Sequence, residues 1–118
     1  MITCSKYEVV VVPFPFTESP EKQKPRPVAV LSNQRYANET GNFLGLMISS
    51  SSNHTVFDIE IQDLEAIGLV FESWIKPKVA TLPRSFIKRS LGKLSETDQK
   101  AMDQLMTAIT KSDVPSIQ

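Results

Sequence analysis

The stretch "VVVVPFPFTESPEKQKPRPVAVLSN", residues 9–33, contains two apolar segments separated by a charged, proline-rich loop. The first segment, residues 7–14, is rich in valine and ends at prolines. It predicts a buried strand, because proline cannot donate a hydrogen bond to a sheet. The second segment, residues 27–33, begins with a proline that directly follows Arg26. The stretch therefore predicts two strands joined by a polar loop, with an arginine where the loop returns to the second strand.

Four further strands are predicted downstream. Residues 43–51 form a third apolar run that ends in hydroxyl side chains. Residues 55–62 alternate apolar and polar side chains with the period of two that is typical of a half-exposed strand. The last two strands are expected within residues 73–82 and 86–94. Short strands at this spacing indicate a mainly β fold, a small antiparallel barrel.

A helical pattern follows the predicted strands. Ser95 and Asp98 have the spacing of a capping box, which marks the start of a helix. Met102 and Met106 are expected to fill the core, since the flexible thioether suits irregular gaps. The apolar residues of the predicted helix recur at helical spacing: Ala101, Met102, Leu105, Ala108 and Ile109.

Length and composition predict one globular domain over residues 1–118, of which 41% are hydrophobic and 22% charged. We expect its core at about 7–110 and a loose tail at 112–118. The sequence shows neither a membrane-spanning stretch nor a signal-peptide pattern, so a cytoplasmic location is expected. The single cysteine, Cys4, is expected to be a bystander rather than a nucleophile, although the fold could bring His54 near it.

The thirteen basic and thirteen acidic residues are unevenly distributed. Residues 55–72 contain five acidic and no basic side chains, whereas residues 73–95 contain six basic and no acidic ones. Both a basic face that binds a polyanion and a pair of solvated strand faces are consistent with this pattern. Asp58 and Glu60 are expected to solvate an outer face rather than to hold a metal.

Few catalytic classes fit these residues. The chain has one histidine, no nucleophile elbow and no phosphate-binding glycine loop, so neither a metal nor a cofactor is expected. Cleavage of RNA stays open, because the substrate supplies its own nucleophile, the 2′-hydroxyl. The protein then needs proton-transfer groups and fixed positive charge at the phosphate. Arg26, Glu21, Ser49 and Ser50 are the candidate groups.

Several segments, in this order, resemble the MazF/PemK family of toxin–antitoxin ribonucleases. The resemblance extends from about residue 7 to residue 109. It implies a small SH3-like antiparallel barrel of the CcdB/PemK type with a C-terminal helix, which forms a homodimer with RNA-binding grooves at or near the subunit interface. The segments that carry it are "VVVVPFPFT" (9–17), "RPVAVLSN" (26–33), "LMISSS" (46–51) and "ATLPRSFIKRSLGKLS" (80–95).

The resemblance also implies roles for individual residues. Arg26 falls on the family's catalytic arginine, Ser49 on a position usually held by threonine, and Glu21 on a loop position where some members carry a functional glutamate. Some members have an Arg and an Asp in the fifth strand, where this chain has Ile75 and Pro77. The candidate substrate-binding residues are Phe16, Thr17, Lys24, Ser50, Lys76, Lys78 and Arg84.

The function implied by this resemblance is that of a sequence-selective, metal-independent endoribonuclease (mRNA interferase) that cuts single-stranded RNA. Such a protein is the growth-inhibiting toxin of a type II toxin–antitoxin system and is bound by a cognate antitoxin. One alternative is a catalytically degenerate, toxin-like binding module, which the missing Arg/Asp pair leaves open. Another is a gyrase-poisoning CcdB-type toxin, although the only tryptophan, Trp74, is far from the C-terminus.

The aromatic and lysine side chains have two interpretations each. Phe16, Tyr36 and Trp74 could stack on RNA bases. Each of them could instead belong to the core or to a subunit interface. Lys76 and Lys78 either bind phosphate or keep an edge strand soluble. A homodimer is also expected because a small barrel leaves apolar surface that it does not bury alone. That surface would lie around Phe14, Phe16, Phe71 and Trp74.

Overall fold

The computed structural model describes residues 4–14, 24–50 and 55–113. Its strands are β1 (Glu8–Phe14), β2 (Lys24–Val30), β3 (Asn42–Ser49), β4 (Ile59–Glu60), β5 (Trp74–Pro83) and β6 (Arg89–Lys93). Its α-helices are α1 (Gln34–Thr40) and α2 (Glu96–Thr110). Within the described residues the strands form one antiparallel sheet in the order β4-β5-β3-β2-β1-β6. The predicted mainly β fold with a closing helix is confirmed.

Both faces of the sheet carry apolar side chains, and this explains the continuous valine run of β1. Alternate side chains of a strand point to opposite faces, so a strand that is covered on both sides has no polar positions. One face packs against α2 through Val9, Ala29, Leu46, Ile48, Ile75, Met102 and Leu105. The other face, called here the Phe43 face, packs against α1 through Val10, Val12, Val28, Val30, Ala37, Phe43 and Leu82.

Strand β2 is longer than predicted, because it begins at Lys24 and not at Pro27. Its pairing with β1 continues beyond the apolar residues as far as Lys24 opposite Phe14. The pairing with β3 covers residues 28–30. The prolines of β2 therefore lie where the strand pairs with β1 alone, which is the kind of position that tolerates a missing N–H.

The strand predicted over residues 55–62 is wrong in extent, because β4 contains only Ile59 and Glu60. Residues 55–58 form a turn instead. The hydroxyl of Thr55 accepts a hydrogen bond from the N–H of Phe57 at 3.1 Å, and the N–H of Asp58 donates to the carbonyl of Thr55 at 3.1 Å. A threonine side chain that binds nearby backbone competes with sheet pairing, so the alternating pattern here did not give a full strand.

Helix α1 was not predicted from the sequence. It begins after Asn33, whose side chain accepts a hydrogen bond from the N–H of Tyr36 at 2.9 Å, and it ends at Gly41 in the left-handed conformation (φ 75°). Ala37 is its one buried residue. The helix therefore has no apolar stripe, and its start and stop depend on the two capping residues.

Helix α2 begins at the predicted residue, and the Oγ of Ser95 accepts a hydrogen bond from the N–H of Asp98 at 3.2 Å. Met102 is fully buried, and Met106 packs against the core at its edge, as expected for filler residues. The predicted apolar stripe is shorter than expected, because Ala108 and Ile109 are exposed. No helix among the described residues has the length and apolar character needed to cross a membrane.

The carboxylate of Asp98 joins α2 to the sheet. Its side chain is fully buried and accepts hydrogen bonds from the backbone N–H groups of Gln62 at 2.9 Å and Asp63 at 3.0 Å. The carboxylate also accepts a hydrogen bond from Oγ of Ser95 at 3.2 Å, so it contacts the cap of its own helix and fixes the turn after β4. Residues 114–118 of the predicted tail lie outside the described residues.

Candidate functional site

Four residues of neighbouring strands lie at the polar end of the Phe43 face. Ser49 of β3 lies opposite Trp74 of β5, and Trp74 lies opposite Glu60 of β4. Arg26 lies two residues before Val28, and Ser49 lies two residues after Met47, which pairs with Val28. Opposed residues of antiparallel strands point to the same face, and so do alternate residues of one strand, so all four residues share the Phe43 face. Arg26 is exposed and the other three are half-buried.

A first cavity, of about 150 Å³, lies beside Arg26, Ser49 and Ser50. Val70 and Phe71 also line this cavity, and they are 83% and 78% exposed. The structure thus brings together the guanidinium group and the two hydroxyl groups that the sequence singled out. An apolar pair of side chains stands next to them at the surface.

A second cavity, of about 450 Å³, shares Ser49 with the first. Lys76 and Lys78 of β5 line it, together with Thr55 and Asp58 from the turn before β4. Two of the predicted phosphate-binding lysines therefore line the same cavity as Ser49, the predicted catalytic serine. Ser49 connects the arginine cavity to the lysine cavity.

Asp58 and Lys76 form a buried ion pair at this second cavity. The ammonium group of Lys76 donates to Oδ2 of Asp58, and the two side chains are 12% and 0% exposed, respectively. The Thr55 hydroxyl donates to Oδ1 of Asp58 at 3.1 Å. Burial opposes ionisation of this carboxyl, but the hydrogen bonds from Lys76 and Thr55 outweigh it and lower its pKa. The prediction that Asp58 solvates an outer face is wrong.

Lys24 and Arg84 lie at different distances from these cavities. Lys24 is exposed on β2, two residues before Arg26, so both side chains are on the same side of the strand. Arg84 follows the end of β5 that pairs with Asn42, whereas Ser49 is at the other end of β3. Seven residues of strand separate these ends by roughly 23 Å.

Arg84 has a structural contact where it lies. Its Nη1 donates to Oδ1 of Asn38 on α1 at 3.3 Å. The structure therefore does not bring Arg84 to the cavity that Arg26 lines. Glu21, Phe16, Thr17 and His54 are among the predicted or considered residues that lie outside the described part of the chain.

Cys4 is fully buried on the Phe43 face, at its apolar end. Burial, and secondly the negative charge of Glu8, raise the pKa of the Cys4 thiol to about 11, against the opposing effect of Arg84. The thiol is therefore protonated at neutral pH and is not a nucleophile. Among residues 4–14, 24–50 and 55–113 no three His, Cys, Asp or Glu side chains are grouped so that they could hold a metal ion.

Asp58 and Thr55 line the second cavity, although neither was predicted as a site residue from the sequence. A signal was present, because an acidic segment, 55–72, is followed directly by a basic one, 73–95. Adjacent antiparallel strands of opposite charge favour cross-strand ion pairs. The register that selects Asp58 and Lys76 from these segments is a property of the folded sheet.

Solved structures of MazF proteins have a similar fold. The chain aligns with the crystal structure of MazE–MazF from Deinococcus radiodurans at a TM-score of 0.74 and 13% identity, covering 96% of this chain and 100% of that one. It aligns with an endoribonuclease in complex with its cognate antitoxin from a mycobacterial species at a TM-score of 0.73 and 10% identity, covering 98% and 100%. The fold is therefore the small antiparallel fold of these toxins, as predicted.

The sequence itself gives the family. Residues 5–111 match the family model described as the PemK-like, MazF-like toxin of type II toxin–antitoxin systems. A protein of Mycolicibacterium smegmatis named "Probable endoribonuclease MazF" is 30% identical over 84 residues, which are 70% of this chain and 77% of the relative. The chain belongs to the PemK-like, MazF-like toxin family. The resemblance seen in the sequence is confirmed.

Proposed function

We propose that this chain is an endoribonuclease that cleaves single-stranded RNA at selected sequences and inhibits growth as the toxin of a type II toxin–antitoxin pair. One observation carries the proposal: Arg26 and Ser49, from neighbouring strands, line the same cavity at the polar end of the Phe43 face. The relative from Mycolicibacterium smegmatis, which is named as an endoribonuclease, supports the same activity.

The reaction needs no nucleophile from the protein. The 2′-oxygen of the RNA attacks the adjacent phosphorus while the bond from phosphorus to the 5′-oxygen breaks. The 2′-hydroxyl loses its proton and the leaving 5′-oxygen gains one, so the products are a 2′,3′-cyclic phosphate and a 5′-hydroxyl end. Arg26 stabilises the charge that develops on the phosphate oxygens, because a guanidinium group binds two of them at once.

The remaining groups act around this arginine. The Ser49 hydroxyl donates a hydrogen bond to a phosphate oxygen, and Ser50 lies beside it at the same cavity. Glu21, in the segment of the sequence between β1 and β2, accepts the proton of the 2′-hydroxyl. Phe16 and Thr17 of that segment contact the RNA next to the cleaved bond.

Charged and aromatic side chains extend this site along the RNA. Lys24, Lys76 and Lys78 contact phosphate groups, and Trp74, which lies opposite Ser49, offers a stacking surface for a base. Arg84 and Tyr36 lie at the other end of the sheet and on α1, so a role for them in binding requires RNA that extends well beyond the cavities.

The experiment uses the purified chain and a synthetic single-stranded RNA of varied sequence. We expect cuts at a small set of sequences, cyclic phosphate and 5′-hydroxyl ends, and no cut where the scissile nucleotide carries 2′-deoxyribose. Cleavage is expected to continue in excess EDTA, because the attacking group belongs to the RNA. Cleavage of the 2′-deoxy substrate, or inhibition by EDTA that magnesium reverses, would contradict the mechanism. Binding without any cleavage would favour the degenerate binding module.

We further propose that the toxin is a cytoplasmic homodimer that binds an antitoxin. The exposed apolar side chains of Val70 and Phe71 beside the first cavity support a protein partner at this edge. Two of the aligned solved structures are themselves toxin–antitoxin complexes. Light scattering at micromolar concentration is expected to give twice the mass of the chain, and a monomer mass would count against the dimer.

A further inference from the structure

The ion pair between Asp58 and Lys76 has an unusual location for a structural salt bridge. It lies at the 450 Å³ cavity, which shares Ser49 with the cavity of Arg26. Asp58 is fully enclosed, whereas Lys76 keeps 12% of its side chain exposed. The cation is therefore the member of the pair that a ligand in the cavity can reach.

Burying two charges is an inefficient way to stabilise a sheet. The loss of hydration offsets most of the attraction between them, and an apolar pair of similar size often stabilises as well. A lysine side chain is long and flexible, however, and it must lose that freedom before it can hold a phosphate group in one place. A carboxylate that fixes the ammonium group in advance removes part of this loss at the moment of binding.

We propose that Asp58 is a positioning residue, which holds the ammonium group of Lys76 at the second cavity so that Lys76 binds the phosphodiester adjacent to the one at Arg26. This inference rests on the proposed function and deepens it. Asp58 itself does not touch the RNA, because Lys76 and the 55–58 turn enclose it.

The spacing of the strands supports two neighbouring phosphate sites. β3 is the single strand between β2, which carries Arg26, and β5, which carries Lys76. Two strand spacings are about 9–10 Å, so one short segment of single-stranded RNA could contact both cations. Ser49 of β3 stands between them and lines both cavities.

A purely structural role for the pair gives a different expectation. Thr55 and Asp58 are joined by hydrogen bonds within the turn, and the ion pair attaches this turn to β5. If anchoring the turn were its only role, losing the pair would lower thermal stability. The affinity for RNA would then change only through the altered charge of the surface. By simple electrostatics, removing a carboxylate from an RNA-binding surface strengthens binding.

The test measures binding of an RNA that carries 2′-deoxyribose at the scissile position, in a salt titration, together with kcat and KM on the cleavable RNA. The variants are Asp58→Asn, Lys76→Gln and the double variant. Asp103→Asn is the matched control, because Asp103 also forms an ion pair with a lysine, Lys6, at 3.5 Å, but on α2 away from both cavities.

Asp58→Asn is expected to weaken binding about tenfold although it removes a negative charge, and to raise KM with kcat changed less than twofold. Lys76→Gln, which keeps a donor for Asp58 but removes the charge, is expected to lower the salt slope by about 0.7. The double variant is expected to bind as Lys76→Gln alone does, because Asp58 acts through Lys76.

Unchanged or tighter binding by Asp58→Asn, or additive effects in the double variant, would overturn the inference. If Asp58→Asn does not fold, Lys76→Gln decides alone, and an unchanged salt slope and affinity for that variant would overturn it. Failure of the proposed function is recognised separately, as a wild-type protein that binds the RNA but does not cleave it.

Discussion

The two ends of the Phe43 face are built from the same strands but have opposite characters. At one end, Phe43 and Val28 are fully buried beneath α1. At the other end, two to six residues further along the same strands, Arg26 and Ser49 face a cavity and are reached by solvent. One end excludes water and the other admits a ligand.

The pKa values of acidic groups at the two ends are shifted in opposite directions. Burial at the apolar end raises the pKa of Cys4 to about 11, so the neutral thiol is favoured. At the polar end burial acts on Asp58 in the same sense, but Lys76 and Thr55 reverse the outcome and lower its pKa. Burial alone does not decide which form of an acid is stable; the hydrogen-bond and charge partners do.

This division of one face separates stability from function. The apolar end gains its energy from buried area and close packing, which tolerate no gaps. The polar end leaves charged groups partly hydrated, which adds little to folding but offers donors to an anion. Variants at the two ends are therefore expected to affect different measurements.

The largest effect is expected at the apolar end. Phe43→Ala removes a fully buried ring and is expected to lower the free energy of unfolding by about 3–5 kcal/mol, measured by urea denaturation. Phe86→Ala is the matched control, because Phe86 is 38% exposed, and we expect a loss of about 1 kcal/mol at most. Equal losses for the two variants would mean that the apolar end is not the stabilising one.

At the polar end we expect a loss of activity without a loss of stability. Arg26→Ala is expected to slow RNA cleavage about 100- to 1000-fold, or about 2.7–4 kcal/mol, through loss of one group that stabilises the transition state. Its melting temperature is expected to match that of the wild type, because Arg26 is exposed. Arg35→Ala, which changes an exposed arginine of α1, controls for charge and is expected to cleave normally. Wild-type cleavage by Arg26→Ala would refute its assignment.

A smaller effect probes how tightly the apolar end is packed. A Cβ atom at Gly45 would overlap with Cγ1 of Val28 and would lie 3.3 Å from the ring of Phe43. Gly45→Ala is therefore expected to lower stability by about 1–3 kcal/mol, as other overpacked cores do. Thermal unfolding measures the loss. A stability equal to that of the wild type would show that Val28 can move aside.

The smallest effect concerns pH at the polar end. The folded-state pKa of Asp58 is lowered, so its contribution to stability is present above the pKa of the unfolded carboxyl and is lost as pH falls through the folded pKa. Wild type is expected to be more stable than Asp58→Asn at pH 7, and this difference is expected to disappear in acid. A difference in melting temperature that stays constant down to pH 2 would contradict this contribution of the ion pair.

Much of the fold could be predicted because its signals are local. The valine run of β1 and the cap of α2 at Ser95 depend on side chains near in sequence. Helix α1 was not predicted, because the segment between its two capping residues is polar and has no apolar stripe, with only Ala37 buried. The short extent of β4 was not predicted either. Side-chain alternation in this segment indicates a strand, but the Thr55 hydroxyl binds the backbone of a turn there.

Some residues of the candidate site could likewise be predicted from the sequence and others could not. Arg26 and Ser49 could be selected by residue type and by their positions at strand ends, with support from the family resemblance. Asp58 could not be selected, because the pattern of its segment is that of a solvated strand. Arg84 has the right chemistry, but the direction of β5 carries it to the far end of the sheet.

The sequence alone thus determined where most of the strands lie and which residues carry charge, because hydrophobic period and residue type are properties of short stretches. The tertiary structure decided which of these residues meet. It placed Arg26 and Ser49 at one cavity, paired Ser49 with Trp74 and Trp74 with Glu60, and joined Asp58 to Lys76. Register depends on hydrogen bonds between distant strands and on the irregularity in the β3–β5 pairing between Leu46 and Ile48, and neither is visible within any one segment.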